Sequence, residues 1–315
     1  MTRSFKYLIC LIHSMDGKRN IIFLFLIILS SCLFISGCLD DGESENGSVD
    51  DSQVIRGATF YIDDYGEAKA SDEEVVLMLA EIIRNFHIIG LQGISDPDSK
   101  AMDILIKEIN NGTDENGKAY NYQYNLSDSV GLNSDSKEQY AYIYDRNVLY
   151  PSSIPRIYAD NENAFNYDPY MIAFRSYAGQ GDVLFIVLTI DENNTKQEID
   201  ALPQLIENVK IRYAGHENIT IVGNLHSDRP YYDETSDSPL RSDDFVWIIT
   251  NDMVTSTKGN YTYDRIIATS NLKNFYAGKA GVFNFTEEYN LTQEETEAIS
   301  THYPVYVEYY SSRPR

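Results

Sequence analysis

Four β-branched residues, Ile219-Thr220-Ile221-Val222, run into Gly223 and then at once into Asn224, His226, Ser227 and Asp228. Such a run is too short and too β-branched for a helix. It reads as a buried strand whose C-terminal end opens onto a site. Other apolar runs precede and follow it, and they too end in polar residues. A chain of this kind must stack sheets and cover them, and strand ends are where α/β proteins usually place chemistry.

The remaining elements follow from periodicity. Ala58–Ile62 and Ile88–Gln92 read as strands. Between them Ser71-Asp72-Glu73-Glu74 forms a capping box for a helix with Val75, Leu79, Ile82, Ile83 and Phe86 on one stripe. A second helix runs through Met102, Leu105, Ile106 and Ile109, stopped by Asn110-Asn111-Gly112-Thr113. Tyr120–Leu126 and Gln139–Tyr144 alternate as strands, then Tyr170–Phe174 and Val183–Ile190. Thr195–Ala214 is helical with Ile199, Leu202, Leu205, Ile206 and Val209 inward. Trp247-Ile248-Ile249, Asp264–Ala268, a short helix near Glu294–Ile299 and the strand Val305–Val307 complete the chain. The expected fold is one mixed α/β domain, residues 54–315, of two packed sheets with outer helices.

The N-terminus is of another kind. Lys18 and Arg19 precede an apolar run from Ile21 to Ile35, short for a membrane span. It closes with Ile35-Ser36-Gly37-Cys38, which resembles a prokaryotic lipobox. Residues 1–37 are therefore expected to be a lipoprotein signal peptide, starting at Met1 or Met15, with Cys38 lipidated. An uncleaved signal anchor is the competing reading. Residues 38–53 are acidic and nearly free of apolar side chains, as a solvated tether would be. All three cysteines, Cys10, Cys32 and Cys38, lie in this region, so the body holds together without disulfides.

The formal charge is −23. Because the leader is basic, the part from Cys38 onward carries about −26. No Lys/Arg cluster interrupts it, so nucleic acid would be repelled rather than steered in. Eight Asn-X-Ser/Thr sequons occur, at Asn46, Asn111, Asn125, Asn193, Asn218, Asn260, Asn284 and Asn290. Asn111, Asn125, Asn193, Asn260, Asn284 and Asn290 are the glycosylation candidates. With the lipobox, they point to a monomer on the outer face of the cytoplasmic membrane of a prokaryote, an archaeon by this pattern. The 25 tyrosines could mark a carbohydrate surface, but strand formation is the simpler use for them.

Several segments, in order, resemble the deoxyribonuclease I branch of the endonuclease/exonuclease/phosphatase superfamily. Ala58-Thr59-Phe60-Tyr61-Ile62 with Tyr65-Gly66-Glu67-Ala68-Lys69 resembles that family's "FNI…FGETK". Leu91-Gln92-Gly93 resembles "QEV", Ser136-Lys137-Glu138-Gln139-Tyr140 "YKE.Y", and Phe165-Asn166-Tyr167-Asp168-Pro169 "F.REP". Glu198–Leu202 resembles "EI..L", Gly223-Asn224-Leu225-His226 stands at "GDFN", Thr262–Ile267 resembles "CAYDRIV", and Thr301–Val305 "DHYPV". The resemblance implies a four-layer sandwich, two mixed β-sheets packed face to face and flanked by helices.

It also implies metal-assisted phosphodiester hydrolysis, with two carboxylate-oriented histidines moving protons and acidic side chains holding Mg²⁺ or Ca²⁺. Here the pattern departs from the family. The metal glutamate falls on Gly93, the first-strand asparagine on Tyr61, and the phosphate-contacting arginine on Tyr167. "GDFN" has become Asn224 and His226, and the aspartate of "DHYP" is Thr301. One catalytic histidine is expected just past Thr189, where Ile190-Asp191 stand. His302 with Asp264 survives, as does Glu138 without its histidine. The catalytic candidates are thus the relics His302, Asp264 and Glu138.

Two readings follow. In the first the nuclease site is lost and the protein binds a protein or small molecule, with no cofactor and His302–Asp264 a structural tie. In the second, His226, Asp191 and Asn224 join Glu138 and His302 in a rebuilt metal site. Imidazole and carboxylate there would suit Zn²⁺ or Mn²⁺, and Mg²⁺ or Ca²⁺ if the family activity survives. His87 and His216, in helix-to-strand connections, are expected to be solvated.

Overall fold

The computed structural model describes residues 54–131, 137–179, 182–213, 215–233 and 235–312. The expected signal peptide, Cys38, the expected tether and the Asn46 sequon lie outside them.

Among the described residues thirteen strands make two sheets. The first holds β1 (Val54–Tyr65), β2 (Ile88–Ile94), β3 (Tyr122–Leu126), β4 (Gln139–Asp145), β12 (Tyr276–Val282) and β13 (Val305–Tyr310), in the order β12-β13-β1-β2-β4-β3. The second holds β5 (Leu149–Pro151), β6 (Arg156–Ile157), β7 (Tyr170–Ser176), β8 (Asp182–Val187), β9 (Ile219–Asn224), β10 (Phe245–Trp247) and β11 (Asp264–Thr269). Its order is β10-β11-β9-β8-β7-β5, with β6 also on β7. Among the described residues β1–β2 and β8–β9 are the parallel pairs.

Period-two alternation assigns the faces. On β4, Ala141 and Ile143 point to the outer helices, while Tyr140, Tyr142 and Tyr144 point between the sheets. There the Tyr140 and Tyr142 phenols accept the Thr189 and Val187 N–H groups of the other sheet, at 3.0 and 2.9 Å. These tyrosines therefore pin the two sheets together.

The helices α1 (Glu67–Ala70), α2 (Glu73–Ile83), α3 (Lys100–Ile109), α5 (Phe285–Tyr289) and α6 (Gln293–Ile299) accompany the first sheet. α4 (Thr195–Arg212) covers the second through Ile199, Leu202, Leu205, Ile206 and Val209, the predicted stripe. Two sheets between helices make the expected α/β sandwich.

Some details differ from the sequence reading. α2 is capped by Asp72, which accepts the Glu74 and Val75 N–H groups, while Ser71 bonds Ala68 O. The strand expected at Trp247–Ile249 is β10, two residues earlier. His87 is not simply solvated, since its Nδ1 accepts the Arg56 N–H at 2.9 Å and burial depresses its pKa. His216 has a buried Nδ1 without a hydrogen-bond partner.

Candidate functional site

β1 and β2 run parallel and end together. β4 and β13 run antiparallel to them, so their starts lie at the same end of the sheet. In the second sheet β8 and β9 end where β11 begins. Tyr61, Gly93, Glu138, Thr189, Asn224, His226, Asp264 and His302 thereby gather at one end of the sandwich. A cleft of about 430 Å³ opens there, lined by Tyr61, Glu138, Tyr167, Asp191, Glu192 and His226 among others.

The predicted Asp264–His302 pair is formed. His302 Nδ1 lies 2.7 Å from Asp264 Oδ2, with Asp264 fully buried and His302 8% exposed. Burial alone would depress the His302 pKa, but the Asp264 carboxylate, with Asp63 behind it, raises it above the ordinary value. The Tyr61 ring lies against this imidazole, centroids 4.9 Å apart.

Tyr61 and Gly93 explain one another. Tyr61 pairs with Gln92 across the β1–β2 ladder, which sets its ring beside Gly93. A Cβ added to Gly93 would stand 2.8 Å from Ile62 O and 3.2 Å from Tyr61 Cζ, on a backbone with φ of +70°. A glutamate at Gly93 would have to shift the Ile62 carbonyl and crowd the Tyr61 ring. Burial, with Glu138 and Asp63 nearby, pushes the Tyr61 phenol far above its ordinary value, so it is a neutral wall of the cleft.

Glu138 sits in the cleft wall, and the residue beside it is Thr189. The histidine that the resemblance implies was expected at Ile190-Asp191. Ile190 instead points into the core beneath α4, and Asp191 lies on the rim, its Oδ1 accepting Asn193 N–H and Nδ2–H. Strand alternation makes Thr189 the position that faces Glu138. Burial pushes Glu138 up to about 7, against the opposing pull of Thr189, Tyr140 and the Gly93 amide. Its Oε1 and Thr189 Oγ1 have no hydrogen-bond partner.

The second histidine is His226, held at a φ of +44°. Its Nδ1 lies 2.6 Å from Ile190 O; a carbonyl can only accept, so Nδ1 carries the proton in the neutral ring. Burial lowers its pKa, keeping it neutral near pH 7. Asn224 serves His226, its Oδ1 accepting the His226 N–H at 3.2 Å. The proposed metal set of His226, Asp191, Asn224, Glu138 and His302 is therefore not assembled. Among the described residues no three His, Cys, Asp or Glu side chains converge as a metal ion requires.

Two carboxylates escaped the sequence reading. Asp63 accepts the Thr301 N–H at 2.6 Å and the Thr301 hydroxyl at 2.8 Å. Burial would raise its pKa, but Thr301, His302 and Lys69 hold it below the ordinary value. The charge missing at Thr301 thus stands one strand away on β1, tied up in hydrogen bonds. Glu198 of α4 accepts the Asn166 and Asp191 N–H groups at 3.2 and 3.4 Å, fixing both loops that wall the cleft. Of the sequon asparagines, Asn111, Asn193, Asn260 and Asn290 are exposed; Asn125 and Asn284 are half-buried, and Asn284 caps α5.

The architecture and the position of the cleft define a DNase I-like α/β sandwich. No protein-family model matches the chain. Human deoxyribonuclease gamma is 28% identical over 280 residues, covering 84% of this chain and 89% of that protein. Mouse deoxyribonuclease-1-like 2 is 29% identical over 264 residues, with 81% and 91% covered. Among solved structures, an endonuclease/exonuclease/phosphatase from Bacteroides vulgatus superposes with a TM-score of 0.55 at 12% identity, covering 81% of this chain and 98% of that one. A Bacteroides thetaiotaomicron mannosyl-6-phosphatase gives 0.52 at 12% identity, with 81% and 99% covered. The chain is a DNase I-like member of the endonuclease/exonuclease/phosphatase superfamily.

Proposed function

We propose that this protein is a lipid-anchored surface protein that uses the cleft of a nuclease fold to bind rather than to hydrolyse. The observation that carries this reading is the Tyr61 ring over Gly93. It crowds the space where the resemblance puts a metal-binding glutamate, and it packs on the carboxylate-paired His302. Thr189 stands beside Glu138 where a second catalytic histidine would be needed, and Thr301 has exchanged a carboxylate for a hydroxyl bonded to Asp63. Loss of general acid or base catalysis alone costs ~10²–10⁴ in rate, and an unshielded phosphate would meet an acidic wall. Lipidation at Cys38 and exposure at a prokaryotic, archaeal cell surface belong to the same proposal. It rests on Ile35-Ser36-Gly37-Cys38 and the exposed sequons.

A metal-dependent phosphodiesterase with a rebuilt site is the second reading. Its support is His226, a neutral imidazole near the raised-pKa His302, a pairing suited to base and acid roles. Hydrolysis of bis(p-nitrophenyl) phosphate by the full-length protein, with Mg²⁺, Mn²⁺ or Zn²⁺ titrated in, separates the two. The binding reading expects no metal-dependent turnover above buffer. Turnover that saturates with metal and falls in His226→Ala would replace it with the second.

A further inference from the structure

The cleft is large enough for a small ligand, since binding pockets typically run from ~300 Å³ upward. Its composition is unusual for a fold whose relatives act on phosphates. Glu138, Asp191 and Glu192 line it, and no lysine or arginine does. Tyr61, Tyr167 and His226 supply the flat walls. Tyr231 extends them, packing edge-on against His226 with centroids 5.2 Å apart and lying beside Glu192.

These features select a charge sign and a size. An anion would face three carboxylates with nothing to neutralise it. A bare metal ion is disfavoured because no three ligating groups converge among the described residues. A flat or extended organic cation fits both facts, since its charge spreads over carboxylates set apart while its body lies on tyrosine faces. Aromatic walls alone would serve a quaternary ammonium equally well. The buried acceptors decide against it. Thr189 is 5% exposed and its Oγ1 has no hydrogen-bond partner; Oε1 of the adjacent Glu138 is likewise unpartnered. Buried polar atoms are rarely left so, and the ionised Glu138 oxygen can only accept, so it calls for a donor.

We propose that the cleft binds an organic cation bearing N–H donors, a protonated amine or guanidinium, with Glu138 as its counter-charge and the tyrosines as its walls. This rests on the binding reading given above, because a ligand of this kind takes the place of a phosphoester.

The test is isothermal titration of the full-length protein in detergent with agmatine, which carries both cationic groups. Tetramethylammonium serves as a cation without N–H donors and inorganic phosphate as an anion. Saturable agmatine binding is expected, with neither control competing. Glu138→Gln, nearly isosteric, should weaken it ~10-fold or more, as loss of a charged hydrogen-bond partner does. The rim pair Asp191→Asn with Glu192→Gln should weaken it less. Thermal melts of each variant show that it is folded; should Glu138→Gln not fold, the rim pair decides alone. No saturable agmatine binding, binding unchanged in the folded variants, or displacement of agmatine by phosphate would overturn the inference. Phosphodiester hydrolysis measured on the same sample keeps the outcomes apart. Absent binding with absent turnover removes only the ligand class, whereas turnover removes the binding reading itself.

Discussion

Replacing Glu138 by glutamine should make the protein more stable at pH 8 and leave it almost unchanged near pH 4. Burial pushes the Glu138 carboxyl from its ordinary 4.5 up to about 7. Between those values the folded protein holds a proton that the unfolded chain releases. Stability is therefore lost as pH rises from about 4.5 to about 7, and stays lost above it. At about 1.4 kcal/mol per pH unit the loss is ~3 kcal/mol. Glutamine does not ionise and escapes it. Glu198 is also pushed up to about 7 by burial, but it is present in both proteins and cancels in the difference. Urea unfolding at about pH 4, 6 and 8 would measure the gap directly. For a domain of this size it corresponds to roughly 6–12 °C in melting temperature at pH 8. A difference between wild type and Glu138→Gln that does not change with pH would show that Glu138 is solvated, and the account of the cleft wall would fail.

Other substitutions probe the same end of the sandwich. Asp264→Ala leaves the buried His302 Nδ1–H without its acceptor and should cost ~1–3 kcal/mol, read from denaturant unfolding; an unchanged midpoint would mean the pair is not buried together. Gly93→Ala should cost roughly 1–3 kcal/mol because of its positive φ and the contact with Ile62 O, whereas the same change at Gly281, where an added Cβ meets nothing nearer than 3.7 Å and the backbone is not left-handed, should cost less. Cys38→Ala should move the protein from the detergent phase to the aqueous phase or leave it unprocessed. Fractionation identical to wild type would refute the anchor.

Much of the frame was legible because burial leaves a period. The start of β9 is legible because Ile219–Val222 are all buried and β-branched, although the strand continues through Gly223 to Asn224. The α4 stripe was read for the same reason. β12 was missed because Tyr276–Val282 is a half-exposed edge strand containing Gly278 and Gly281, with no apolar alternation to detect. The site was half legible. The Asp264–His302 pair came from local motifs, but Asp63 gains its meaning from Thr301, 238 residues away in sequence. The register of Thr189 against Glu138 depends on two strands in different sheets. Tyr61 and Gly93 were each visible as departures, yet only the β1–β2 ladder shows that one fills the space the other vacates.

That coupling also governs reversal. Restoring family residues at Gly93, Thr189, Asn224, His226 and Thr301 also calls for Tyr61→Asn, because a side chain at Gly93 crowds the Tyr61 ring as well as Ile62 O. Ligands and proton-transfer groups act as a unit, so single reversions should not restore activity.

The most direct measurement is nicking of supercoiled plasmid by the purified full-length protein with Mg²⁺ and Ca²⁺ together, beside His302→Ala. The account predicts no nicking above buffer from either protein. Robust cleavage by wild type that His302→Ala abolishes would contradict it, and would show that His226, Thr189 and Glu138 carry a working site.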